Sequence, residues 1–139
     1  MPRIFFFIFI IFSVAFKQEA YAQLSKSVEA IEAQHKDCLR IKPDSSGCSK
    51  QFLTQVDIIL PIVLEQLKAQ LFSDEKTALI QDQVSWGKKK GEFFKIQDET
   101  FKYNLQEGIW KKDMIRITYK QKAEFILKRI KVLLKRLKE

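Results

Sequence analysis

One histidine and two cysteines are all that the 139 residues offer of the side chains that most often hold transition metals. A closed zinc site takes about four ligands. His35 could face Cys38 across one helical turn, but the rest of such a set is missing. The dithiol redox signature C-x-x-C is absent too, because Cys38 and Cys48 stand nine residues apart. Neither a G-x-S-x-G elbow nor an H-E-x-x-H pair occurs. "GKKKGE" (Gly87 to Glu92) lacks the phosphate-loop spacing and lies inside a helical pattern rather than after a strand. Four glycines and three prolines are too few for large disordered tracts. No catalytic residue, metal or cofactor is expected, and the chain reads as a non-enzyme.

The chain opens "MPRIFFFIFIIFSVAFKQEAYAQ". Arg3 provides a basic start, and Ile4 to Phe16 form an apolar run too short for the roughly twenty residues that span a bilayer. Ala20-Tyr21-Ala22 then places small residues where a signal peptidase reads them. The expectation is a signal peptide over residues 1–22, cleaved after Ala22, and a periplasmic or secreted single domain over 23–139. No cysteine sits at the cleavage point, where Gln23 follows Ala22, so a lipoprotein is not indicated. Export carries the thiols into an oxidising compartment, which makes Cys38–Cys48 a structural disulfide. In the chain-entropy model so small a loop stabilises by about 2.5–3 kcal/mol. Losing Arg3, Lys17 and Glu19 lowers the formal charge from +8 to about +7. A balance of that sign favours anionic partners or surfaces.

Helical spacing dominates the remainder. Leu24, Val28, Ile31, His35 and Cys38 share one stripe of a first helix from about Ser25 to Leu39. "KPDSSG" ends it with turn-forming residues. A second helix from about Cys48 carries Phe52, Val56, Leu60, Val63, Leu67 and Leu71, with Pro61 in its middle. There a kink, or a split into two shorter helices, is expected. Ser73, followed by Asp74 and Glu75, signals the start of a third helix, which brings Leu79, Gln83, Trp86 and Lys90 to one face. It continues to about Tyr103, although Gly87 and Gly91 weaken it. "NLQEG" breaks the pattern before a last helix from Lys112 to Lys138. "MIRITYK" is the best strand candidate but merges into that helix. The predicted fold is all-α, a bundle of about four helices with one disulfide.

The last helix sets Ile126, Ile130, Leu133 and Leu137 on one seam and lysines and arginines opposite. That pattern suits an amphipathic membrane-surface segment, a groove-binding helix or a nucleic-acid contact. It equally suits a terminal helix whose apolar seam completes the core. Export sets nucleic acid aside. Burial of Ile130 and Leu137 separates a core seam from a docking face.

The order C-x9-C-x8-D-x2-L, from Cys38 through Cys48 and Asp57 to Leu60, is followed by Q-x2-W at Gln83 and Trp86. Together these residues resemble the lysozyme-inhibitor LprI-like domain family of small exported bacterial proteins. "ITYKQKAEFIL" (Ile117 to Leu127) looks like the threonine-led helix that closes such domains, and the likeness runs from about His35 to Leu134. Pro61 and Leu64 stand where the family has asparagine and tyrosine. Lys90-Gly91 replaces an arginine-aspartate pair, and the family's second cysteine pair is missing altogether. The resemblance implies binding to lysozyme or another envelope protein, with inhibition achieved by blocking the cleft whose carboxylates cut the glycan. An envelope module that meets anionic lipid or cell-wall polymer through the basic last helix is the alternative. Asp57, Gln83 and Trp86 also have a packing role open to them, Trp86 as a core side chain. Buried, Asp57 would need a partner such as Lys90, Lys88 or a helix N-terminus. Common animal lysozymes are basic and repel a basic protein. Docking would therefore call for an acidic patch, with "VEAIEAQHKD" and "IQDET" as candidates.

Overall fold

The computed structural model describes the backbone over residues 3–109 and 111–139, and side chains from residue 18 onward except at 110. Four helices follow in order: α1 Arg3–Ile41, α2 Ser46–Gln70, α3 Ser73–Gln106 and α4 Lys111–Lys138. No strand occurs among the described residues, and "MIRITYK" is helical. The all-α expectation and the four-helix count hold. α1 starts well before the expected Ser25, because no glycine or proline interrupts the chain between Arg3 and Ile41. The expected leader falls largely on side chains outside this description. Among the described residues no helix is long and apolar enough to cross a membrane.

Local chemistry sets the three turns. After α1 the Lys42 N–H donates to the Cys38 carbonyl and the Ser45 N–H to that of Lys42, and Ser45 enters α2 in extended geometry. Phe72, not Ser73, sits at the N-cap of α3. Its side chain accepts nothing, so the cap comes from Glu75, whose carboxylate accepts the Phe72 N–H at 3.2 Å. α3 ends at Gly108, which takes φ 79°. The Ile109 N–H reaches back to the Asn104 carbonyl in a Schellman closure that favours glycine. Pro61 lies inside α2, which runs unbroken through it, so two shorter helices are not found. The Pro61 side chain is exposed. The carbonyl left without a donor one turn earlier, that of Asp57, therefore lies toward the wet side of the helix.

α2 and α4 form the most extensive helix pair. Val56, Val63 and Leu67 of α2 and Ile126, Ile130 and Leu133 of α4 are completely or almost completely buried. Glu32 meets Lys131, and Tyr21 lies under Lys138, so α1 runs antiparallel to α4. α1 is also antiparallel to α2, since Cys38–Cys48 closes their turn and Gln34 meets Gln55. The central α2 and α4 therefore run parallel. α3 returns antiparallel along α4, with Asp82 at Arg129 and Asp98 at Lys122. α1 and α3 thus flank a two-helix centre. The seam of α4 is core throughout: Ile126, Ile130, Leu133 and Leu137 are buried, so it is not a docking face.

The Cys38–Cys48 disulfide spans a Cα separation of 5.7 Å, with Cys48 buried. The double variant Cys38→Ala/Cys48→Ala keeps the fold and loses about 2–3 kcal/mol of stability. Urea titration of the two proteins reads that loss as a lower midpoint.

Candidate functional site

Leu79 is the only residue of α3 that is fully buried among those described. One apolar anchor cannot hold a helix of 34 residues; half-buried Trp86 and Phe94 pack against the core beside it, and polar side chains bind around them. Arg129 supplies the centre. It lies on α4 next to the core seam with only 8% of its surface exposed. Its Nε–H and Nη2–H both donate to Gln83 Oε1, at 3.0 and 2.9 Å, and Nη2–H donates to Asp82 Oδ2 at 2.8 Å. The guanidinium carbon stands 5.7 Å from the Trp86 ring. A planar fork is suited to this combined stacking and bidentate bonding.

Lys90 extends the cluster to α2. Its Nζ donates to Asp57 Oδ1 at 2.9 Å and lies 5.9 and 5.1 Å from the Trp86 and Phe94 rings. Lys122 of α4 also lies over the Phe94 ring, at 4.9 Å, and donates to Asp98. Phe125 stacks between Trp86 and Phe93, at 5.9 and 4.5 Å. The result is a layer of aromatic rings with cations over them, each cation carrying its own carboxylate. With Asp57 and Lys90 exposed by 46% and 26%, their ion pair contributes at most about 1 kcal/mol. The enclosed Arg129 bonds are worth more, about 1.5–3 kcal/mol.

The layer brings Asp57 of α2 to the face of α3 that carries Gln83, Trp86 and Lys90. Of the partners open to Asp57, Lys90 is the one it takes. Leu60 belongs to the core instead. Cys38 and Cys48 lie at the end of the bundle, Cys48 nine residues or about 14 Å along α2 from Asp57. Arg129, Asp82, Phe94, Lys122 and Phe125 escaped the sequence reading. For Arg129 a signal existed, since it falls three residues after Ile126 and four before Leu133, beside the seam rather than opposite it.

A second polar feature adjoins the disulfide. His35 is buried, its ring stacked on Phe52 at 4.2 Å, and its Nε2 has no hydrogen-bond partner. Burial holds its pKa below the ordinary 6.5, the charge of Lys120 on α4 lowers it further, and Glu124 partly opposes both. Ser49, next to Cys48, likewise buries an unpartnered hydroxyl. The cysteines are bonded to each other, and no group of three or more His, Cys, Asp or Glu is placed to hold a metal among the described residues. No family model, curated protein or solved structure matches the chain.

Two outcomes follow. Arg129→Met keeps the side chain's apolar bulk but strips Gln83 and Asp82 of their donor. It lowers stability by about 1.5–3 kcal/mol in urea titration, whereas Lys90→Met costs less than about 1 kcal/mol. His35 acts through pH. Because its folded-state pKa lies below the unfolded value, the unfolded chain binds the extra proton, and stability falls as pH drops below about 6.5. Replacing this single histidine by phenylalanine preserves the stack and flattens the change in urea midpoint between about pH 7.5 and 5.5.

Proposed function

We propose that the chain is an exported, non-catalytic binding protein of the LprI-like kind, working in the periplasm or outside the cell through its surface. Lysozyme is the partner to which the resemblance points. The observation that supports the reading most directly is spatial. Asp57, Gln83 and Trp86 carry the resemblance, and Lys90 stands for the family's arginine. Asp57 of α2 meets Lys90 on the face of α3 that carries Gln83 and Trp86, and Arg129 of α4 joins the layer. The one pairing that helical spacing does not force, Asp57 with Lys90, joins two motif positions 33 residues apart.

The charges argue against docking on a basic lysozyme through a carboxylate patch. In the two candidate acidic stretches Glu32, Asp37, Asp98 and Glu99 are each paired with a cation of this chain. Glu29 accepts only from Ser25. Inhibition would therefore rest on a lysine or arginine entering the cleft beside its catalytic carboxylates. Exposed lysines such as Lys88 and Lys89 on α3, next to the aromatic layer, have the reach for this.

A second reading has its own support. With so many carboxylates already paired, the surplus positive charge lies in exposed lysines, which suits an anionic envelope surface. α4 can contribute to such contact by charge alone, because its apolar seam is in the core. The test is lysozyme turnover on cell-wall substrate, at low salt, with a large molar excess of the protein recovered from the exporting cell. The expected result is a dose-dependent fall in rate that weakens with salt and is reduced by Lys88→Glu/Lys89→Glu. Unchanged turnover removes lysozyme as the partner.

A further inference from the structure

The second reading needs a surface, and the buried seam of α4 does not provide an apolar one. The end of the bundle that carries the α1–α2 and α3–α4 turns does. Ile41, the last residue of α1, is 68% exposed, and Ile109, just past α3, is 45% exposed. The two turns are neighbours, since Lys112 of α4 and the segment Lys42 to Ser46 line one open hollow of about 370 Å³. Lysines surround the two isoleucines: Lys36, Lys42, Lys50, Lys111 and Lys112 have no carboxylate within ion-pair distance among the described residues. Against them this end sets Asp44 and Glu107, its other two carboxylates, Asp37 and Asp113, being paired with Arg40 and Arg116.

From this arrangement we infer that the α1–α2 and α3–α4 turns form a docking face for an anionic lipid surface, with Ile41 and Ile109 entering the acyl boundary. The inference rests on the anionic-surface reading and gives it a location. Depth supports a bilayer over an acidic protein. Lys36 lies five residues before Ile41, about 7–8 Å behind it along α1, and Lys50 is set back similarly along α2. Apolar groups that rest in a membrane interface sink about 5–10 Å, so lysines at that setback stand at headgroup level when the isoleucines are inserted. A lysine stem also extends along apolar surface while its ammonium stays in water. A folded acidic partner would match the charge without giving two isolated apolar tips anywhere to go.

The experiment is sedimentation of the protein, as recovered from the exporting cell, with vesicles of phosphatidylcholine alone or of equal parts phosphatidylglycerol and phosphatidylcholine. Binding is expected to the anionic vesicles only and to weaken with salt. Lys42→Glu/Lys111→Glu/Lys112→Glu is expected to cut partitioning by about a hundredfold or more, and Ile41→Ser/Ile109→Ser by about tenfold. All five positions are exposed, and an unchanged helical melt in each variant shows that the bundle is intact. Binding that survives both variants but falls on Lys128→Glu/Lys135→Glu moves the contact to α4, overturning this proposal while sparing the anionic-surface reading. Absence of anionic binding by the parent protein overturns both. Equal binding to neutral vesicles, unaffected by the turn variants, also overturns the proposal, because the attachment is then apolar and lies elsewhere.

Discussion

The parallel packing of α4 on α2 is the constraint on which the rest of the bundle depends. Val56, Val63 and Leu67 meet the level of Ile126, Ile130 and Leu133 with almost no surface left to water. At about 25 cal/mol per Å² of apolar surface removed from water, no other contact in the molecule competes. The two partners are separated in the chain by the whole of α3 and both of its turns. The core therefore closes only through non-local contacts, which form late because loop closure must come first. This gives the disulfide a clear role. It fixes the antiparallel α1–α2 pair near the beginning of the domain and reduces the conformations from which α4 has to find its groove.

α3 takes part on different terms. A long helix with one fully buried side chain draws most of its apolar contact from half-buried rings, Trp86, Phe93 and Phe94, and isolated helices are marginal in water. Its attachment comes from the layer in which Arg129 joins Gln83, Asp82 and Trp86, and Lys90 joins Asp57. Gly87 and Gly91 fit this picture, since a Cβ at either would meet nothing within 4 Å. They do not serve close helix packing and only lower the propensity of a helix that is held from its other side. Such a helix is the part of a bundle most prone to local opening, having few apolar contacts and much exposed backbone.

The helices were legible because their apolar residues recur at helical spacing, and the disulfide because the only two cysteines lie ten positions apart across a turn-forming stretch, where an oxidising compartment would join them. The same spacing put Gln83, Trp86 and Lys90 on one face and offered Lys90 to Asp57. It sets Arg129 beside the seam but is blind to its partners, 46 and 47 residues away, since periodicity reports which face is wet and not which polar groups meet. It also gave Ser73 the cap of α3. A serine before two acidic residues is a strong local signal, but the chain starts the helix one residue earlier and lets Glu75 satisfy the exposed Phe72 N–H. At Pro61 the missing donor mattered less than the burial of Val56, Ile59, Leu60 and Val63 around it. Tertiary packing keeps α2 whole where propensity alone would divide it.

Whether a cation stabilises the protein or serves a partner depends on the company it keeps. Arg129, Lys90 and Lys122 are enclosed by rings and carboxylates, and recruiting them to a ligand would leave Asp57 or Asp98 without a donor, or Asp82 with only the longer contact to Arg136. The lysines around the two turns have no such bond to lose. A charge already paired and partly desolvated is screened weakly by salt, whereas free surface charges are screened within about a Debye length. The layer around Trp86 is thus poorly placed to answer an anionic partner. The undistinguished lysines at the turns are free to do so. The paired cations and the unpaired lysines then lie on different parts of the bundle, the first holding α3 in place and the second facing outward from its end.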